Sequence, residues 1–369
     1  MRFIRFHSER NIKCSELIPI ILKSPNLKES LKKFYPVKNI TLTNYGRTAL
    51  QLILDRYKLK DCKIMIPAFI CLLFKDVFKE RKIIPILIDV EKDTFNISSR
   101  TLKKNFDKSA VCLITNNMNG LPCEVEKLKK ILNNDQILIE DCAHSLGAYH
   151  NGLSTGTFGD AAFFSLYKNL PTISGGFAIT NNPLKKLESE RNIFKTGLKM
   201  IYYLGKISHF YKLFKNDFQL YGKNLEFKDI PLKKPNFIIE KLAAFYLLKL
   251  SFIIKSRQKL AKILEKELKA SGVQLQENPL GEHIYTYFSF LLPKKISEKR
   301  EQFLDILKSK GIIGRLIWDQ PFSKLIKGKC PISNEISKRI VSIPINSNNS
   351  VKEMKLLSKK ILESLKELN

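Results

Sequence analysis

The chain has 369 residues and is 44% hydrophobic, enough for a large core and a smaller second domain. Its 64 basic and 35 acidic residues give a formal charge of +29, which suits an anionic substrate, nucleic acid or an anionic membrane surface. The lysines run along the whole chain beside abundant Ile and Asn, so compositional bias explains the charge equally well, and no zinc-ligand spacing or nucleic-acid-binding signature accompanies it.

In chain order, residues 1–40 read as irregular with one helix, Leu27–Phe34. Asn44-Tyr45-Gly46-Arg47-Thr48 then precedes an amphipathic helix with Leu50, Ile53, Leu54 and Tyr57 on one face. A glycine turn at a helix start presents backbone N–H groups and the positive dipole end, a natural phosphate site. Strand and helix then alternate: strands at Lys63–Ile66, Ile83–Val90, Ala110–Thr115 and Ile137–Glu140, helices at Phe69–Lys79, Leu102–Phe106 and Glu124–Leu132. That alternation predicts a mostly parallel sheet covered by helices, an α/β architecture.

Leu138–Thr180 is the most informative stretch. Glu140 and Asp141 follow an apolar run, at the carboxyl end of a strand, where ligands of open α/β sheets bind. Asp160–Leu166 is a second strand, ending at Ser165 and Lys168, and Gly175-Gly176 opens a third, Phe177–Thr180. One sheet edge thus receives a carboxylate, a hydroxyl and a lysine. That set suits pyridoxal phosphate, which needs an amine for a Schiff base, a carboxylate to keep its pyridine nitrogen protonated, and donors for its phosphate. The competing reading is three ordinary loop residues with Lys168 solvated.

Leu184–Thr196 reads as a helix, and Leu198–Leu220 mixes six aromatic residues with four lysines. The latter is either a basic element on a membrane surface or a helix packed on the second domain or a partner subunit; the second is favoured. Asn236–Leu268 reads as one or two long helices. A small α+β domain follows, with strands at Val273–Gln276, Ile284–Leu292 and Ile312–Trp318 and a helix at Ser297–Lys308. Ser350 and Glu353 form a capping-box start for a last helix whose apolar face is Met354, Leu357, Ile361 and Leu365. The expected division is 1–235, a large cofactor-binding domain that includes the basic aromatic region 184–235, and 236–369, a connecting helix plus the small domain. Seven scattered cysteines, an odd count without a CxxC pair, argue against a disulfide framework. MRFIRFHSER has no apolar signal core, and no run approaches the about 18 apolar residues of a spanning helix. A cytoplasmic location is expected.

EDCAHSLGA and GTFGDAAFFSLYKNL…GGFAIT resemble segments of the DegT/DnrJ/EryC1/StrS family of pyridoxal-phosphate sugar aminotransferases, as do KIMIPAFIC, PILIDVEKDTFNIS and CPISNEISKRIVSIPI. The resemblance covers most of residues 40–350. It implies the type I fold of pyridoxal-phosphate-dependent transferases, with Lys168 holding the cofactor, Asp141 on its pyridine nitrogen, and Ser165, Gly46, Arg47 and Thr48 at its phosphate. It implies His144 near the ring hydroxyl and, at the start of PNFIIEKLAAFYLLKL, Asn236 reaching the phosphate of a neighbouring subunit in a homodimer with shared active sites. The sequence departs from the pattern in four places: Ser165 and Lys168 stand about two residues closer than usual, Ser174 replaces an acidic residue, Cys71 stands where an aromatic ring stacks on the cofactor, and Ile238 replaces the family arginine two residues after Asn236. Phe69 either stacks instead or is core. The implied reaction moves an amino group from glutamate or glutamine to a keto-sugar carried on a nucleotide, with no metal. A dehydratase of the same family is an alternative that Lys168 argues against, since that branch carries histidine there. A non-catalytic cofactor-binding regulatory or membrane-surface protein is another, against which the retained Lys168 and Asp141 argue.

Overall fold

Five-residue apolar segments build the main sheet. They are Asn39–Thr43 (β1), Lys63–Pro67 (β2), Ile84–Ile88 (β3), Cys112–Asn116 (β4), Ile137–Asp141 (β5), Ala161–Ser165 (β8) and Gly176–Thr180 (β9). The computed structural model of the chain describes residues 20, 22–37, 39–190, 231–279, 282–314, 318, 322, 329–343 and 345–368. The seven strands lie in the order β1-β9-β8-β5-β4-β2-β3. β8, β5, β4, β2 and β3 run parallel, whereas β9 is antiparallel to β8 and to β1. β4, β8 and β9 are buried along their whole length. That is why they read as continuous hydrophobic runs rather than as alternating ones. Helices cover both faces, as the strand–helix alternation predicts.

Several expected elements move. β1 was not expected: NITLT alternates polar and apolar residues, but over only five positions of a partly exposed edge strand. The expected helix Phe69–Lys79 begins only at Leu73. Ala68 is still engaged with its neighbours, donating its N–H to Ile88 and accepting from Phe322, so the backbone turns before it can wind. A short hairpin, Tyr149–His150 (β6) and Leu153–Ser154 (β7), was not expected. Residues 184–190 are not helical; after Pro183 the chain bridges alongside Lys234, through Glu190 N–H to the Lys234 carbonyl (3.1 Å) and Lys234 N–H to the Glu188 carbonyl (2.9 Å). The rest of that expected helix and all of Leu198–Leu220 lie outside the described residues.

The long helical stretch is two helices, Phe237–Leu247 and Leu250–Leu268. The first buries Ile239, Leu242, Ala243 and Leu247 in the core beneath β8 and β9, with Tyr35, Phe164 and Phe177. The second contributes Leu260, Leu264 and Leu268 to a separate core, shared with the last helix, Val351–Leu368. The capping box forms as expected, Glu353 N–H donating to Ser350 Oγ (3.1 Å) and Ser350 N–H to Glu353 Oε2 (2.8 Å). All four apolar residues expected on this helix are buried. Gln274–Leu275 (β10), Phe288–Leu291 (β11) and Ile340–Ile343 (β12) form the small antiparallel sheet. The first two are shorter than expected: Gln276 turns its side chain to the Thr94 carbonyl, and Tyr285 has φ 50°, a turn conformation. The expected strand Ile312–Trp318 does not form over 312–314 or at Trp318. The helix expected at Ser297–Lys308 runs Arg300–Ser309 after a 3₁₀ turn.

Glu140 shows why a carboxylate pair closes β5. Its side chain is fully buried and turns away from Asp141, accepting N–H groups of Gly156, Phe158 and Gly159, each at 2.8 Å. Burial pushes its carboxyl up, and those three donors oppose the shift. Gly156 has φ 90°, and a Cβ there would stand 2.4 Å from the Phe164 ring, so the loop can close on Glu140 only with glycine. Glu140 is therefore the structural member of the pair, and Asp141 is left for the site.

Candidate active site

Parallel strands β4, β5 and β8 end at one edge, delivering Asn116, Asp141 and Ser165. β9 runs the other way, so its first residue, Gly176, sits at the same edge beside Ser165. β1 ends there too and leads through Asn44–Tyr45 into the helix Gly46–Arg56. A Cβ on Gly176 would lie 2.5 Å from the Gly46 nitrogen and 2.7 Å from the Phe164 carbonyl, so the glycine lets this helix start press against Ser165.

Lys168 lies in the four-residue helix Leu166–Asn169, directly after β8. Its Nζ is 3.1 Å from His144 Nε2. Burial pushes the Lys168 amine down, but Tyr167, Tyr287, Cys71 and Asp141 outweigh it and the amine stands above the ordinary lysine range. Near neutral pH it is an ammonium, so it donates to His144 Nε2, which assigns the imidazole proton to Nδ1. Asp141 is half-buried and accepts the Ala143 N–H at 2.9 Å. Burial raises its carboxyl to about 6, against the pull of Lys168 and that N–H.

His144 is held between two rings from the C-terminal part of the chain. Trp318, the chain's single tryptophan, stacks on it with centroids 5.0 Å apart and planes 10° apart. Tyr287 meets it edge-on at 4.9 Å. Beneath the lysine a buried polar network fixes the backbone. Asn169 Nδ2 donates to the carbonyls of Ala143 (3.2 Å) and Ser165 (3.4 Å). The Thr286 hydroxyl donates to Asn169 Oδ1 and also lies against the His144 carbonyl. Arg257, 1% exposed, donates to the Asn169 carbonyl at 3.1 Å. The network binds the Asp141–His144 turn to the short Ser165–Lys168 connection.

The other expected residues fall as follows. Ser165 Oγ is buried at the strand end and has no partner among the described residues. Gly46 opens its helix against β8. Thr48 is fully buried and donates to Asn44 Oδ1 at 2.7 Å, and Arg47 lies over the Tyr45 ring, 5.6 Å from its centroid. Phe69 is fully buried, edge-on to Phe95 and Trp318, a core residue behind the site. Asn236 is the N-cap of Phe237–Leu247, accepting the Ile239 N–H at 3.1 Å. Sequence reasoning missed Asn116, Asn169, Tyr287 and Trp318; only the KN dipeptide in KNL bordered any of them.

These residues fit pyridoxal phosphate. A lysine and a carboxylate flank a helix start, and the orphaned Ser165 hydroxyl there is a buried donor lacking an acceptor, as a phosphate would supply. Fold and donor set define a pyridoxal-phosphate-dependent transferase of the type I fold. The sequence profile of the DegT/DnrJ/EryC1/StrS aminotransferase family matches residues 23–361, and the chain belongs to that family. It is 22% identical over 326 residues to GDP-perosamine synthase of Vibrio cholerae, covering 85% of this chain and 82% of that protein. Among solved structures it is similar to PseC of Helicobacter pylori, an aminotransferase involved in pseudoaminic acid biosynthesis, with TM-score 0.74, 17% identity and full coverage of both chains. It is also similar to a GDP-4-keto-6-deoxymannose-3-dehydratase, with TM-score 0.75 and 21% identity over 97% of this chain and 100% of that one. Among the described residues no helix is long and apolar enough to cross a membrane.

Proposed function

We propose that this enzyme transfers an amino group from glutamate or glutamine to a keto-sugar carried on a nucleotide, with Lys168 and Asp141 as its catalytic residues. The observation that carries the reading is the Lys168 amine on His144 Nε2 beside Asp141, at a sheet edge whose neighbouring serine lacks a partner. When bound, pyridoxal phosphate supplies the electron sink for a carbanion at the substrate carbon. Asp141 holds a proton on the pyridine nitrogen. A cation beside the carboxylate stabilises its charged form, offsetting the burial that raises it. Ser165 and the helix start at Gly46 hold the phosphate, while Thr48, whose hydroxyl donates to Asn44 and whose N–H donates to the Tyr45 carbonyl, braces that turn. His144 Nε2 accepts a hydrogen bond from Lys168 Nζ and so fixes the amine in the site, and Lys168 carries protons to and from the substrate carbon. Lysine at this position favours amination over the dehydration performed by one of the similar structures. Purified protein loaded with cofactor should convert glutamate to its keto acid in a half-reaction. It should then aminate at least one member of a panel of nucleotide keto-sugars; conversion of none, or amination of free sugars only, would overturn the substrate class.

We further propose a homodimer in which Asn236 serves the partner's site. In its own subunit its Oδ1 caps the helix Phe237–Leu247 by accepting the Ile239 N–H. Mixing inactive Lys168→Ala and Asn236→Ala subunits should restore activity, because each mixed dimer keeps one intact site. No recovery after demonstrated subunit exchange would confine Asn236 to its own subunit.

A further inference from the structure

β4 ends on Asn116, which pairs in register with Asp141 at the end of β5. Partners on neighbouring strands point to the same face of a sheet, so Asn116 is set toward the site as Asp141 is. Asn116 is 3% exposed. Its Nδ2 donates to the Phe69 carbonyl at 3.3 Å, while its Oδ1 is buried and has no partner among the described residues. The amide cannot be turned over to repair this, since its oxygen would then face the Phe69 carbonyl, acceptor against acceptor. A buried acceptor without a donor is a standing cost to the fold. Such an atom at a ligand-binding edge points to a donor on the ligand.

Strand order identifies the donor. On pyridoxal phosphate, the ring nitrogen lies opposite the carbon that reacts with the lysine. The phosphate arm and the ring hydroxyl flank that carbon, on opposite edges of the ring. With Asp141 of β5 at the nitrogen, Ser165 of β8 takes the phosphate edge on one side. β4 is the neighbour of β5 on the other side, so the hydroxyl edge faces Asn116. We propose that Asn116 is a cofactor-binding residue whose Oδ1 accepts a hydrogen bond from the ring hydroxyl. The inference rests on the seating proposed above for Asp141, Ser165 and Lys168. An acceptor at the ring hydroxyl holds the proton on the ring oxygen, so the bound cofactor absorbs more in its shorter-wavelength, hydroxyl form.

A binding cycle tests this with pyridoxal phosphate and 3-deoxypyridoxal phosphate, which lacks the hydroxyl, titrated against wild-type protein, Asn116→Leu and Asn116→Ala. Quenching of the single tryptophan, Trp318, reports occupancy. Both variants should bind pyridoxal phosphate about 5–30-fold more weakly, the equivalent of one lost hydrogen bond. They should bind the deoxy analogue within about twofold of wild type, so that the interaction appears as a coupling between residue and hydroxyl. The variants' cofactor spectrum should also move toward the longer-wavelength form. Equal losses for both cofactors, or none for either, would overturn the assignment, and a folding defect in one variant is exposed by the other. Borohydride fixation in the wild type separates the underlying seating: a label absent from Lys168 refutes the seating, whereas a label on Lys168 with no coupling refutes only Asn116.

Discussion

Lys168→Ala is expected to lower turnover by about 10²–10⁴-fold from the lost proton transfer alone, with a further loss because the cofactor is no longer held covalently. The fold should survive. The backbone of Leu166–Asn169 is fixed by the Asn169 amide, Thr286 and Arg257, none of which needs the lysine amine. Small primary amines added to the solution should restore part of the activity, as they can fill the space left by the side chain and accept protons in its place. Lys168→Arg should not be rescued, since its guanidinium occupies that space and stays protonated. Borohydride reduction of the loaded wild type, followed by peptide mass spectrometry, should place the cofactor on Lys168. A label on another lysine, or a Lys168→Ala enzyme within tenfold of wild type, would refute the assignment.

Residues whose role is local in the chain were legible in the sequence, and those completed from a distance were not. Asp141, Ser165 and Lys168 each close or follow a strand whose apolar run announces it, and the glycines between them mark the turns. The Ser350–Glu353 cap lies wholly within four residues and appears as expected. The helix Pro331–Arg339 is capped from elsewhere: Asp89, beyond the end of β3, accepts the N–H groups of Ile332 (2.9 Å) and Ser333 (2.8 Å). No local signal records that, and the helix was not expected. The same holds for Trp318 and Tyr287. Their contacts with His144 arise only when the C-terminal part of the chain lies against the main sheet. Asn116 was hidden for another reason. It closes an apolar run as an ordinary strand-end polar residue, and its meaning appears only in the register with Asp141. Phe69 shows the opposite error: a ring at a suggestive position in sequence that the fold places in the core.

Asp141→Asn separates function from stability, because the two should move in opposite directions. The Asp141 carboxyl is raised by burial to about 6 in the folded protein without cofactor, from an ordinary 3.8. A raised carboxyl means that the folded state resists the charged form. This group's contribution to stability is intact below about pH 4 and is lost as pH rises through 6. At about 1.4 kcal/mol per pKa unit, the cost above pH 6 is about 2–3 kcal/mol. Asparagine keeps the shape and the acceptor for the Ala143 N–H but carries no charge to bury. Cofactor-free Asp141→Asn should therefore melt above cofactor-free wild type at pH 8, and the gap should close toward pH 4. With cofactor bound the order should reverse, because the wild-type carboxylate then faces a protonated ring nitrogen and the penalty becomes an attraction. Turnover of the variant should collapse even at saturating cofactor, since nothing keeps that nitrogen protonated while the substrate carbon gives up its proton. Thermal melts with and without cofactor at two pH values measure all of this. A cofactor-free variant no more stable than wild type at pH 8 would show that burial does not raise the Asp141 carboxyl. Near-normal turnover would show that it is not the group opposite the ring nitrogen.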